Sequence, residues 1–91
     1  MRVVTVISGE TTTGAKTAVN VVGTLREKYS VHLFGTGTFS VDIEGSFDGT
    51  NWNDLDTART ASAIFQVTAM PYLRAQCNTM TGANVSIKVG V

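Results

Sequence analysis

A handful of side chains in this sequence could do chemistry, and each has a plainer reading beside the reactive one. Asp42 and Glu44 are two carboxylates two positions apart. A pair of carboxylates at suitable separation can cleave a glycosidic bond. In an alternating segment, however, positions two apart share one face of a strand, so the pair reads first as the wet side of a sheet. Asp48, Asn51, Asp54 and Asp56 gather oxygen donors near one turn. Calcium takes about six to eight such oxygens. The spacing matches no calcium loop, and turn formation alone accounts for Asp48 and Asn51. We therefore expect no metal and no cofactor.

His32 is the single histidine, and it sits between Val31 and Leu33 on the face opposite theirs. Acid–base catalysis would require a nucleophile or carboxylate partner, so a surface or interface role is expected. Cys77 is the single cysteine. It alternates with Leu73 and Ala75 and reads as a small buried hydrophobe. A disulfide within the chain is excluded, and no cysteine-based metal site fits. Gly35-Thr36-Gly37-Thr38 lacks the Gly-Lys-Ser/Thr ending and the following helix of a phosphate loop. Phe34, Trp52 and Tyr72 would make a sugar-stacking platform if exposed, but Trp52, following a turn in an alternating strand, reads as a core plug. Arg74 lies opposite Leu73 and Ala75 in phase and is expected to pair with Asp42 or Glu44 across the sheet. No reactive constellation emerges, and no enzymatic activity is expected.

The elements that position these residues are strands. Phe39 to Phe47 alternates, with Val41, Ile43 and Phe47 on one side and Ser40, Asp42, Glu44 and Ser46 on the other. That is the period of a half-buried strand. Asp48-Gly49 is a strong turn signal, because glycine adopts positive φ freely and aspartate tolerates it. Asp48, Gly49, Asn51 and Trp52 are expected to form a structural turn. Other strands are expected at Arg2–Ile7, Thr17–Val22, Tyr29–Phe34, Trp52–Leu55, Ala61–Thr68, Tyr72–Asn78 and Ala83–Val91. Gly35-Thr36-Gly37 is read as the turn between two of them. The only helical candidate, Gly23–Lys28, is too short to stand alone. About eight strands with turns every 8–12 residues predict an all-β fold, an antiparallel β-sandwich of jelly-roll type. The expected core comprises Val31, Leu33, Val41, Ile43, Trp52, Leu55, Ile64, Phe65 or Val67, Leu73, Ala75, Val85, Ile87 and Val89.

Ninety-one residues make one domain. A domain this small buries only about two thirds of its unfolded surface, so a partner surface would add to its stability. Residues 17–91 are expected to form the sandwich, and residues 1–16 a strand or arm followed by a Thr/Gly loop. The formal net charge is zero and only 15% of residues are charged. No basic balance points to nucleic acid. No apolar run approaches the ~18 residues of a membrane span, and no leader-like segment opens the sequence. A chain made in the cytoplasm, without membrane or nucleic-acid partners, is the expectation.

Three motifs add a resemblance. Gly45-Ser46-Phe47-Asp48-Gly49-Thr50-Asn51-Trp52-Asn53-Asp54-Leu55 is followed by Met70-Pro71-Tyr72-Leu73-Arg74-Ala75 and then Thr81-Gly82-Ala83-Asn84-Val85-Ser86-Ile87. Together they resemble small β-sandwich proteins of tailed-bacteriophage virions, namely capsid decoration (cement) proteins and related head or tail accessory domains. The same turn is similar to one in galactose-binding-like jelly rolls and carbohydrate-binding modules. The resemblance covers about the C-terminal 55 residues and leaves the first 30 unmatched. It implies a virion protein that binds the major capsid protein or another virion protein, commonly as a homotrimer. It also leaves a carbohydrate- or receptor-binding module as the alternative. The expected contact residues are Val3, Val4, Val6 and Ile7 of the arm, together with His32 and Phe34.

Overall fold

The computed structural model describes residues 2–21 and 26–91. Among them there is no helix, and therefore none long and apolar enough to cross a membrane. Gly23, Thr24 and Leu25 of the helical candidate, and Val22 of the second expected strand, lie outside the described residues. Seven strands are present: β1 (Val3–Glu10), β2 (Gly14–Ala15), β3 (Val19–Asn20), β4 (Lys28–Ser46), β5 (Asn53–Arg59), β6 (Ala63–Thr68) and β7 (Tyr72–Gly90). All pair antiparallel within one sheet. The fold is the all-β, antiparallel, sandwich-like one that the alternation predicts.

The sheet reaches a two-layered shape by folding over. β4 and β7 have 19 residues each and pair along almost their whole length, from Ser30–Gly90 to Ser46–Tyr72. Straight strands of that length would span about 60 Å, whereas the longest dimension of the molecule is 37 Å. Both strands must therefore bend. On one side of the bend lies a first layer, ordered β1, C-terminal half of β7, N-terminal half of β4, β6. On the other side, β2 and β3 flank the N-terminal half of β7, and β5 flanks the C-terminal half of β4. The buried residues of both layers form one core.

The bend keeps the apolar face inward by means of two register slips. Val31 pairs with Val89 and Leu33 with Ile87; beyond the bend Val41 pairs with Cys77 and Ile43 with Ala75. Between these, the register shifts once after Thr36–Asn84 and again after Ser40–Thr79, each time with the extra residue on β7. One slip alone would turn the rest of β7's apolar set to solvent. The second restores the phase. Only the short piece between the slips is out of step, and there Met80 rather than an odd-numbered residue pairs with Phe39 and packs on the core. The Gly35-Thr36-Gly37 segment is thus a bend within one strand, facing a bulge on β7, where the sequence predicts a turn between two strands. Bulges are the usual device for bending a ladder without ending it.

Val31, Leu33, Val41, Ile43, Val67, Leu73, Ala75, Val85, Ile87 and Val89 are buried as expected, and so is Cys77. Burial pushes the Cys77 thiol above its ordinary pKa, which suits an inert side chain. Leu55 is half-buried and packs against the core, and three further residues depart from expectation. Ile64 is 74% exposed, because His32, its pairing partner, fixes that register position on the outer face. Phe47 is 78% exposed, since β4 ends at Ser46. Trp52 is only half-buried.

The N-terminal segment also departs from expectation. It is an edge strand of the domain's own first layer, with Val6 and Ile7 buried in the core and Val4 packed against it. Arg2 and Val91 exchange backbone hydrogen bonds of 2.9 and 2.8 Å, so the first and last described residues are tied together. Residues 2–10 are part of the sandwich rather than an arm set apart from residues 17–91.

Candidate functional site

The turn after β4 is built on two side chains. Ser46 is buried, and its hydroxyl accepts from the Asp48 and Gly49 backbone N–H groups at 3.2 and 2.9 Å while donating to Asp48 Oδ1. The Asp48 carboxylate accepts the N–H groups of Thr50 and Asn51, both at 2.8 Å, and the Asn51 amide at 2.7 Å. These donors, chiefly the Asn51 and Thr50 backbone N–H groups, hold the Asp48 carboxyl far below the usual carboxylate range. Gly49 adopts φ 78°, while Asp48 does not take positive φ as had been expected of it. A Cβ at Gly49 would meet only the Tyr72 ring, at 3.5 Å, an ordinary contact. The cost of a side chain there is conformational, and Gly49→Val is expected to destabilise by ~1–2 kcal/mol. In a domain of this size that lowers the melting temperature by about 4–16 °C. An unchanged melting curve would show that the turn tolerates a β-branched residue.

The candidate chemical groups are engaged in structure. Asp48 is committed as described, and Asp56 accepts two hydrogen bonds from Arg59, at 2.7 and 2.9 Å. That removes two of the four oxygen donors of the calcium reading. Among the described residues, no group of three or more His, Cys, Asp or Glu could hold a metal ion. The Asp42 carboxylate accepts from Ala58 N–H at 2.8 Å and from the Asn78 amide at 2.9 Å. It thereby holds the β5 bulge, where Ala58 has φ 55°. Glu44 accepts from Arg74 Nε at 2.7 Å, the cross-sheet pair expected from the sequence. Arg74 also lies over the Trp52 ring at 4.3 Å, so its guanidinium covers one face of that ring. Arg59 covers Phe65 in the same way at 3.9 Å and ties β5 of one layer to β6 of the other.

The surface that remains without such commitments is the outer face of the first layer. Strand pairing fixes its rows. Val3, Gly90, Ser30 and Gln66 lie side by side across the four strands, and Thr5, Lys88, His32 and Ile64 form the next row. Phe34 follows His32 on the same face, their ring centroids 4.9 Å apart. Val3 is 63% exposed, Ile64 74% and Phe34 37%. Gly90 contributes no side chain, so a shallow, mainly apolar depression opens between Val3, His32 and Ile64. Lys88 is the one charged side chain in these rows.

Of the contact residues expected from sequence, the structure brings Val3, His32 and Phe34 to this face. Val6 and Ile7 are in the core, and Val4 is half-buried against it. Ile64 and Lys88 belong to the face and were not anticipated. Lys88 had a signal, since it alternates against Val85, Ile87 and Val89. Ile64 had none, because Ala63-Ile64-Phe65 is a continuous apolar run with no phase of its own. Comparison of the chain with protein-family models, with curated proteins and with solved structures finds no significant match in any of the three.

Proposed function

We propose that this protein is a non-enzymatic virion structural subunit, a capsid decoration (cement) protein that docks on the major capsid protein or another virion protein. The observation that carries the reading is the outer face of the first layer. It is a four-stranded sheet surface bearing Val3, His32, Phe34 and Ile64, with Lys88 as the one charge in its two central rows and Lys28 at the end of β4 beyond them. Interface cores are depleted in charge and enriched in aromatic and apolar groups, and a contiguous exposed apolar patch marks an interaction surface. The virion placement is supported by the resemblance of the turn and strand motifs. The carbohydrate-binding alternative gains nothing from Trp52, one face of which is covered by Arg74.

The test is co-sedimentation. The full chain is expected in the particle peak of a density gradient of virions from the lysate in which it is made. The double variant Val3→Glu/His32→Glu places carboxylates at exposed positions of a mainly apolar contact. It is expected to keep its β-sheet circular dichroism and to lose at least about tenfold in particle binding. Equal recovery of the variant with the particles would remove this face from the contact. A chain that ignores particles and binds glycans would replace the proposal with the alternative.

A further inference from the structure

An antiparallel sheet that does not close exposes backbone N–H and C=O groups along its edges, and proteins blunt such edges with bulges, charges, proline or brevity. Among the described residues five strands lie on edges: β1, β2 and β3 beside β7, and β5 and β6 beside β4. Four of them are blunted. β1 carries two register shifts and Gly9 at φ 61°. β2 and β3 are two residues each. β5 carries two register shifts, Ala58 at φ 55° and the charges of Asp54, Asp56 and Arg59.

β6 has none of these devices. Its six residues, Ala-Ile-Phe-Gln-Val-Thr, contain no charge, proline or glycine, and they run beside β4 from Lys28–Thr68 to Leu33–Ala63 without a register shift. No described strand pairs with its outer side.

We infer that the free edge of β6 is a pairing site for β6 of a second copy of this chain. The two strands would run antiparallel about a two-fold axis and join two first layers into one continuous sheet. The strand's lack of charge points to a second copy, and two consequences of a two-fold axis agree with it. A two-fold axis sets a strand against its own reversed sequence, and any charge near the axis then faces its like; β6 carries no charge to do so. The axis also makes the pair antiparallel, which continues the order of every ladder in this fold. The strand's parity agrees with its image as well. With Phe65 on the axis, Ile64 stands opposite Gln66 of the other copy; with Gln66 on the axis, it stands opposite Thr68. In either register Ala63, Phe65 and Val67 remain on the core side, and Ile64, 74% exposed in the single chain, gains a cross-strand neighbour. Arg59, which lies over Phe65, brings its own partner Asp56, so the flank adds no net charge. The pair closes at two copies, in contrast to the trimer that the virion resemblance implies. It does not depend on what the outer face of the layer binds.

The test is the mass of the full chain by sedimentation equilibrium from micromolar to several hundred micromolar, with amide hydrogen exchange at both ends of the range. The expected species is twice the 9.6 kDa chain mass. Exchange of the Ala63–Thr68 amides is expected to slow as the dimer fills, while the amides of β1 and β5 do not change. Ile64→Lys/Gln66→Lys sets lysines opposite one another across the axis. It is expected to raise the dimer dissociation constant about tenfold or more with the circular dichroism spectrum retained. A monomer throughout the range overturns the inference. So does a trimer, a dimer whose β6 amides exchange as in the monomer, or a dimer indifferent to the two lysines. If the double-lysine variant unfolds, the concentration dependence of β6 exchange in the natural chain decides alone.

Discussion

Gly37→Ala is expected to prevent folding. Gly37 sits in the bend of β4 with φ 80°, a conformation that alanine resists. Conformation is the smaller part of the cost. An ideal Cβ at Gly37 would run into the carbonyl oxygen of Gly82 and would lie 2.7 Å from the Ala83 Cα. These are backbone atoms of the facing strand, and they cannot swing aside as a side-chain tip would. The bend that brings both layers onto one core depends on this approach. A cost above ~3 kcal/mol is expected, against a total stability of about 5–15 kcal/mol for ordinary domains and toward the lower end for one this small. The control is Gly82→Ala. Gly82 has φ 57°, yet a Cβ there would meet nothing within 4 Å, so only the left-handed conformation is charged, about 1–2 kcal/mol. Thermal unfolding followed by circular dichroism separates the two. If Gly37→Ala melts like Gly82→Ala, the close approach of the strands has little energetic weight.

The same bend shows where the sequence is legible and where it is not. Alternation marks the inward residues on either side of it, because Val31 and Leu33, Val41 and Ile43, Leu73 and Ala75, and Val85, Ile87 and Val89 each keep strict period two. What alternation cannot show is whether Gly35-Thr36-Gly37 ends one strand or bends it. A glycine pair punctuates a sequence in the same way for a turn and for a bulge. The difference lies in the Gly82–Ala83 backbone, which faces the bend from far along the chain and approaches Gly37 where a Cβ would stand. Met80 is unreadable for a related reason. It is inward only because two register slips flank it, and slips are properties of a pair of strands, not of one. Phe47 fails at the other end of β4. It continues the alternation, but the Ser46–Asp48 hydrogen bonds pull the chain into the turn one residue earlier.

The outer face is legible in part for the same physical reason. His32, Phe34 and Lys88 occupy the even positions of strands whose odd positions are strongly apolar, so their outward direction follows from local sequence. Their assembly into one patch with Val3 and Ile64 follows only from the order β1, β7, β4, β6, which no local signal encodes. The hydrogen-bond partners of the acidic side chains near the turn are not legible in the sequence. Asp48 and Asp56 are near the turn, as read, but Ser46, Asn51 and Arg59 occupy their oxygens.

Deleting residues 1–10 is expected to unfold the domain, contrary to what an arm would do. Read locally, Val3 to Ile7 is an apolar strand followed by a Thr/Gly loop, and nothing nearby in sequence offers it a partner. Its partner is the last strand. β1 pairs with β7 from Val3–Gly90 to Glu10–Val85 and covers the edge of the strand that supplies Val85, Ile87 and Val89 to the core. Val6 and Ile7 are themselves buried, and each such aliphatic side chain contributes roughly 1.5–3 kcal/mol. The ladder hydrogen bonds are lost with them, and Val91 loses the Arg2 backbone that holds it. Together these losses approach the whole stability of a domain this small. The expected result is a chain without cooperative thermal unfolding and with weakened sheet dichroism. Replacing the exposed Val3 by alanine is expected to change little, since it takes away neither the buried core residues nor the ladder. A truncated chain that still unfolds cooperatively, yet no longer enters the particle peak, would restore the reading of this segment as an arm reaching to a partner. A truncated chain that both folds and enters the particle peak would show that β1 contributes neither to the core nor to attachment.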